Sequence, residues 1–221
     1  IKEDALRRDF TANSLYYSPS SECIYDFCGS LEDINKQQLT LIGDPKQRYA
    51  EDPVRMLRAL RFASKLRFSI EENTHSQISE SASLIRNISN ARLFDESIKL
   101  FHNTYAHDIC EQLNQSGLLQ QIYPLYCRHI EHHPWVTSML QQALQNTSER
   151  IQQGKPVTIA YLYAVLLWPE FQKRVSIVGT KPVDLPKLGY KAIDLIKEQS
   201  QITSIPKRHA YAIKDIWEYQ V

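Results

Sequence analysis

Two short stretches of this 221-residue sequence hold the residue types that could do chemistry. The first is Arg7-Arg8-Asp9. The second is Asp52 followed by Arg55, Arg58 and Arg61. On a helix that turns ~100° per residue, arginines three apart form a stripe. Guanidiniums spaced one turn apart repel each other unless an anion lies among them. A triphosphate, an RNA backbone or protein carboxylates would each serve. In a functional arrangement Asp52 and Arg55 offer hydrogen bonds to a base edge, since a carboxylate accepts from an exocyclic amine and a guanidinium donates as a fixed fork, while Arg58 and Arg61 hold phosphates. The plainer alternative is a solvated helix face whose arginines pair with Glu51, Asp52 and other carboxylates. Arg7-Arg8-Asp9 would then be a surface ion cluster at a strand edge.

The element that must position the ladder is "EDPVRMLRALRFASKL", residues 51 to 66. Asp52 is a suitable N-cap with Pro53 at the first helical position. Met56, Ala59, Leu60, Ala63 and Leu66 gather on one face, and the three arginines lie roughly opposite. Residues 10 to 45 have a β-leaning texture: "TANSLYY" and "ECIYDF" are short, aromatic and apolar, "QQLTLIG" alternates, and "SPSS" reads as a turn. "GSLEDI" suggests a tight turn into one helical turn. After Gly43-Asp44-Pro45 helical periodicity takes over, with helices expected near 52–67, 71–86, 90–103, 105–115, 134–152, 156–167, 187–199 and 206–219. The expected fold is mainly α, an all-helical body preceded by a small α+β segment.

Composition narrows the classes. Hydrophobic residues make up 43% and charged residues 23%, as in ordinary globular proteins. Mean hydropathy is −0.41, and no apolar run approaches the roughly 20 residues of a spanning helix. Cys23, Cys28, Cys110 and Cys127 form no CxxC pair, which fits reduced thiols and a cytoplasmic protein. The formal net charge is only +1, so nucleic-acid binding would have to come from a local basic surface.

Three segments in order, "RRDFTANSLYY", "IYDFCGSLEDI" and "RYAEDPVRMLRALRFASKL", resemble successive motifs of the class II nucleotidyltransferase superfamily. That superfamily holds the tRNA CCA-adding enzymes and the bacterial poly(A) polymerases. "ARLFDESIKLF" (91–101) and "SIPKRHAYAIKDIWEYQ" (204–220) resemble the poly(A) polymerase branch, where a CCA-adding enzyme would carry an ERI-type segment at Ala91-Arg92-Leu93-Phe94. The resemblance implies that Asp9 is a catalytic carboxylate, that Arg8 binds nucleotide, and that Asp52, Arg55, Arg58 and Arg61 recognise the nucleotide and contact its phosphates. It implies a division into 1–45 (remnant of the nucleotidyltransferase head), 46–115 (helical neck) and 116–221 (helical body). One departure is Ser30, where the family usually has a second glycine.

Nucleotidyl transfer needs two metal ions held by closely placed carboxylates. In this family an Asp-x-Asp pair after a Gly-Gly segment supplies them, both upstream of the RRD motif. "EDP" and "LED" give adjacent acids and no i, i+2 pair, and the sequence has no Gly-Gly dipeptide. The expectation is a fragment that begins after the principal catalytic motif and stops where the family's body continues. It holds no metal site of its own, Mg²⁺ being bound mainly by the missing head, and does not transfer AMP alone. ATP is the expected substrate and RNA 3′ ends the expected partner. The alternatives are a CCA-adding enzyme acting on tRNA with CTP and ATP, and a non-catalytic RNA-binding helical module.

Other features invite smaller claims. "CRHIEHH" (127–133) places His129 and His133 four apart near Cys127, but Pro134 follows and no zinc spacing is matched, so a packed or solvated cluster is the better reading. His107-Asp108 lacks the further His and Asp of a metal phosphohydrolase. "IAYLYAVLLWPEF" (159–171) is apolar on nearly all sides, as a buried helix is. The last helix, with Lys207, Arg208, Lys214, Tyr211, Trp217 and Tyr219, could contact RNA or close the body, and closure is favoured.

Overall fold

A computed structural model describes residues 1–175 and 185–220, and the chain is mainly helical as expected. It divides into two compact units. One comprises Ile1–Asn87 with Gln115–Leu118, the other Ile88–Asn114 with the residues from Leu119 onward.

The first unit holds the small α+β part. Helix α1 (Lys2–Leu6) leads into the Arg7-Arg8-Asp9 stretch. Strands β1 (Tyr16–Ser18) and β2 (Cys23–Tyr25) pair antiparallel, Tyr16 opposite Tyr25, with the expected serine-rich turn between them. Helix α2 (Ser30–Asn35) starts after Gly29, whose φ of +76° is the left-handed conformation that glycine adopts without strain. Because Gly29 alone makes that bend, the neighbouring Ser30 costs nothing; it is fully buried, with its hydroxyl 2.7 Å from that of Ser14. Asp26 accepts from the N–H groups of Cys28, Ser30 and Leu31. Burial pushes the Asp26 carboxyl up, but the Leu31, Ser30 and Cys28 amides outweigh it and bring it down to about 2.

Strand β3 (Gln38–Leu39) runs parallel to β4 (Ser69–Ile70), and the connection between them carries helices α3 (Pro45–Glu51) and α4 (Val54–Leu66). Helix α3 falls outside the expected helices, although its signals stand in the sequence: the Asp44 carboxylate accepts from the Gln47 N–H at 2.9 Å and Pro45 is the first residue. Helix α4 begins two residues later than expected and ends where Arg67 turns left-handed (φ +57°). Val54 and Leu57 join Met56, Ala59, Leu60 and Ala63 on its buried face, whereas Leu66 is 42% exposed because it sits in the last turn, past the core. Helix α5 (Glu72–Ser81) follows, capped by Glu71. Phe10 packs edge-on against Phe62 at 5.8 Å, and the buried Tyr49 donates its hydroxyl to the Thr74 carbonyl at 3.1 Å. Burying each such ring contributes about 1.5–3 kcal/mol.

The remaining helices are α6 (Asn90–Phe101), α7 (Ala106–Gln115), α8 (Leu118–Ile122), α9 (Pro124–Ile130), α10 (Pro134–Gln152), α11 (Ile159–Val175), α12 (Leu185–Ser200) and α13 (Lys207–Glu218), all in the second unit except the last residue of α7 and the first of α8. Helix α10 has the bounds read from sequence. Helices α8 and α9 are too short for a periodicity reading. Helix α11 continues through Pro169, where the sequence reading stopped it at 167. An internal proline costs ~3 kcal/mol, and here the helix on either side of it buries Leu166, Leu167 and Phe171. Trp217 of α13 is buried, stacks on Phe171 at 4.3 Å and donates its indole N–H to the Ala164 carbonyl at 3.0 Å. The last helix therefore closes this core with Trp217 and Ile213, while Tyr211 and Tyr219 face outward.

Candidate nucleotide-recognition site

The residues singled out in the first unit converge because the backbone brings Asp9 over α4. The Asp9 carbonyl accepts from the Ile42 N–H at 2.9 Å, Phe10 and Leu41 form an antiparallel bridge, and the Phe10 ring anchors on Phe62. From there the Asp9 carboxylate reaches two rungs of the ladder. Arg55 Nε donates to Oδ1 at 3.0 Å, and Arg58 Nη2 lies 2.8 Å from Oδ2. Arg55 Nη1 also donates to the Arg48 carbonyl at 2.7 Å and to Glu51 Oε2 at 3.2 Å. The Asp9 and Arg55 side chains are each 13% exposed, and Arg58 is 34% exposed. A pair this enclosed is screened less than a surface pair and loses more when one partner goes.

Arg61 makes no ion pair among the described residues; its guanidinium lies over the Phe62 ring, 4.8 Å from the centroid. The Nε groups of Arg58 and Arg61 are buried without a hydrogen-bond partner. Arg8 points to the other side, where its Nε donates to the Tyr16 hydroxyl at 3.0 Å and Nη1 to the Asn13 carbonyl at 2.9 Å, with Asp4 beside it. The Tyr16 hydroxyl and the Arg7 guanidinium hold Asp4 well below the usual carboxylate range, so it is an anion at neutral pH. Helix α4 takes Pro53 as its N-cap, one residue later than the sequence suggests, and Asp52 lies two residues ahead of Val54, where it still satisfies the helix start: its carboxylate accepts from the Val54 N–H at 3.2 Å and its carbonyl from the Arg55 N–H at 3.1 Å.

The structure thus brings Asp9, Arg55 and Arg58 into one cluster, with Arg61 one turn on and Arg8 on the adjoining backbone. The plainer sequence reading is met in part, since Arg55 does pair with Glu51. The partner that sequence reasoning missed is Asp9 itself, 46 residues away, and with it Arg48 and Tyr16. No local spacing signals a contact of that range. The arginines 7, 8, 48, 55, 58 and 61 still outnumber the acids at positions 4, 9, 51 and 52, so the surface keeps an excess of positive charge and fork-shaped donors suited to phosphate.

The chemistry of the donors argues against a metal cage here. Both Asp9 oxygens are taken by guanidiniums, and among the described residues no three His, Cys, Asp or Glu side chains cluster to hold a metal ion. In "CRHIEHH", His129 is buried and bonds Glu170 at 2.8 Å, and His133 stacks on His129 and lies tilted against Trp135. Among the described residues no helix is long and apolar enough to cross a membrane.

Similarity over the whole of this chain to poly(A) polymerase I, together with two family matches, relates it to the class II nucleotidyltransferase superfamily, which holds bacterial poly(A) polymerases and CCA-adding enzymes. Residues 1–40 match the family described as "Poly A polymerase head domain", and residues 67–129 the family described as "Probable RNA and SrmB- binding site of polymerase A". Over its whole length the chain is 36% identical to "Poly(A) polymerase I" of Haemophilus influenzae and 37% identical to that of Salmonella typhimurium, covering 50% and 48% of those proteins. The "CCA-adding enzyme" of Enterococcus faecalis is 36% identical over 65% of the chain, which covers 38% of that enzyme. The chain therefore spans about half the length of the curated poly(A) polymerases it matches. Among solved structures, the Thermotoga maritima CCA-adding enzyme complexed with tRNA superposes with a TM-score of 0.55 at 15% identity, over 99% of this chain and 60% of that one. At that identity the likeness concerns the fold alone.

Proposed function

We propose that this chain is the nucleotide-recognition and RNA-binding part of a template-independent RNA 3′-end adenylyltransferase of the cytoplasm, which adds AMP from ATP. The observation that carries the reading is the half-buried Asp9–Arg55–Arg58 cluster, with Arg61 and Arg8 beside it as further cations. Residues 1–45 belong in this reading to the nucleotidyltransferase head, 46–115 to the neck and 116–221 to the body. Similarity to two poly(A) polymerases over the whole of this chain, against similarity to a CCA-adding enzyme over 65% of it, favours ATP over the CTP-plus-ATP alternative.

The assignment of roles follows from the donors. Arg58 and Arg61 hold the phosphates, where fixed guanidiniums offset the charge that grows on the departing pyrophosphate as the adenylyl group passes to the RNA 3′-hydroxyl. Asp52 and Arg55 read the base edge, and Arg8 steadies the nucleotide from the adjoining backbone. Asp9 is the proposed catalytic carboxylate; with both oxygens accepting from arginines, its first contribution is to hold Arg55 and Arg58 in register. Among the described residues no three His, Cys, Asp or Glu side chains cluster to hold Mg²⁺, and no step is assigned to a metal here.

Calorimetric titration of ATP and CTP into this chain tests the reading. ATP-preferring binding that falls at least tenfold in Arg55→Ala and Arg58→Ala is expected. Equal binding of both nucleotides would favour the CCA-adding alternative, and binding that ignores both substitutions would remove the ladder from the site. The same chain incubated with ATP, Mg²⁺ and an oligo(A) primer is expected to give no extension.

A further inference from the structure

Arg48 stands at the centre of the site, and neither the motifs nor the comparisons give it a role. It lies on α3 with its side chain only 16% exposed. Its Nη2 donates to two successive carbonyls, Arg8 at 2.8 Å and Arg7 at 3.2 Å. Its Nη1 donates to Glu51 Oε2 at 3.0 Å, the same oxygen that accepts from Arg55. Its own carbonyl accepts from Arg55 Nη1 at 2.7 Å. One residue therefore grips both halves of the clasp, the backbone immediately before Asp9 and the guanidinium that Asp9 receives.

We propose that Arg48 is the positioning residue of this site: by fixing the Arg7 and Arg8 carbonyls it aims the Asp9 carboxylate at Arg55 and Arg58. This rests on the nucleotide reading above for its functional consequence, while its structural core can be tested separately. Geometry is the reason an arginine is needed. A planar guanidinium keeps one nitrogen, Nη2, on both carbonyls while a second, Nη1, stays fixed on Glu51; an ammonium is a single nitrogen that can serve the carbonyls or Glu51 but not both. The stem passes over Gly43, its Cγ and Cδ 3.5 Å from where a Cβ there would stand, and Gly43 has φ +91°. Arg48 Nε is buried without a partner, so the whole grip runs through the two Nη groups. Because the Asp9 backbone is pinned from one side by Ile42 and from the other by Arg48, loss of the second restraint lets the carboxylate swing while the bridge at Phe10 and Leu41 persists.

The test is ¹⁵N-edited NMR of the chain with Arg48→Lys and Arg48→Ala, with Lys36→Ala as a control that removes an exposed ion pair in the same unit. The Arg55 Nε–H, bonded to Asp9, is expected as a slowly exchanging signal in the unsubstituted chain and in Lys36→Ala. It is expected to be lost to solvent exchange in both Arg48 variants. In Arg48→Lys the amides of Thr11 and Phe68, which bond the Thr40 and Ala63 carbonyls, are expected to stay protected. ATP affinity should then fall roughly tenfold in Arg48→Lys, as when an outer partner of a binding group is removed. An unchanged Arg55 signal in both variants would overturn the proposal. So would parallel loss of Thr11 and Phe68 protection in Arg48→Lys, which would make Arg48 a general structural residue. Failure of the unsubstituted chain to bind ATP would overturn the nucleotide reading alone, because the Arg55 signal still decides the role of Arg48.

Discussion

Each compact unit contains an ion network, and the two are built to different rules. In the first, Asp9 and Glu51 serve Arg48, Arg55 and Arg58, and cations outnumber anions. In the second, His129 and Arg174 share Glu170, while Arg174 continues to Glu198 and Asp194 and Arg128 lies 3.9 Å from Glu198. Here the carboxylates keep pace with the cations. Glu170 is 8% exposed, and although burial pushes its carboxyl up, His129 and Arg174 outweigh that and hold it below its usual range. A balanced network has its charge spent on its own elements, tying α9, α11 and α12 together. A network with spare guanidiniums on a partly open face has charge left over for a ligand. Both contain arginines, so the surplus and not the presence of arginine separates a binding site from a brace.

The largest effect that would break this contrast is expected in the brace. Glu170→Ala leaves His129 and Arg174 without their shared anion and should cost about 3 kcal/mol by denaturant unfolding, the usual loss when one partner of a buried pair is removed. ATP binding should be untouched, and a loss of binding in that variant would erase the distinction. Next comes Arg55→Ala, which removes a charge-assisted bond to Asp9 and should cost about 2 kcal/mol of stability beyond its effect on ATP. Smaller still is Arg61→Ala, whose guanidinium holds no ion pair among the described residues. Its stability should change by less than about 0.5 kcal/mol, yet the slope of log affinity for oligo(A) against log salt should drop by about 1; an unchanged slope would make Arg61 a mere cover for Phe62.

The smallest effect concerns pH. Burial lowers the pKa of His102 and of His209, aided by the mutual charge of His209 on His102 and of Arg208 on His209, so the fold favours both rings neutral. A histidine depressed in the fold binds its proton more tightly when unfolded. Its stabilisation is therefore complete above the ordinary histidine range and is lost as pH falls. Thermal melts should show a lower midpoint at pH 5.5 than at pH 7.5, with the difference reduced in His102→Gln. An equal or higher midpoint at pH 5.5 would contradict the assignment.

Most of the helical scaffold was legible because long amphipathic runs declare themselves. Helix α10 has the sequence-derived bounds, and α4, α6, α12 and α13 differ by a few residues. The misses have separate physical causes. Helix α3 carries only capping signals, Asp44 and Pro45, over 7 residues. Helices α8 and α9 are about as short, too brief for a 3.6-residue period to stand out. Helix α11 runs through a proline because burial there outweighs one lost backbone bond. Leu66 escaped the core because a wheel assigns direction and not depth.

The site shows the same division. Residue types and spacing alone determined that three arginines form one stripe on α4, that Asp52 stands at its start, and that an anion must sit among the guanidiniums. They also determined that Gly29 makes the bend before α2. Only the tertiary structure decided which anion answers the ladder. Asp9 reaches Arg55 and Arg58 because the Phe10–Leu41 bridge, the Phe10–Phe62 contact and the Arg48 grip carry a distant backbone segment over the helix. Periodicity is a local property of the chain, set by the turn of a single helix. Pairing across dozens of residues is set by how whole elements bury their apolar faces, and no window of sequence contains it.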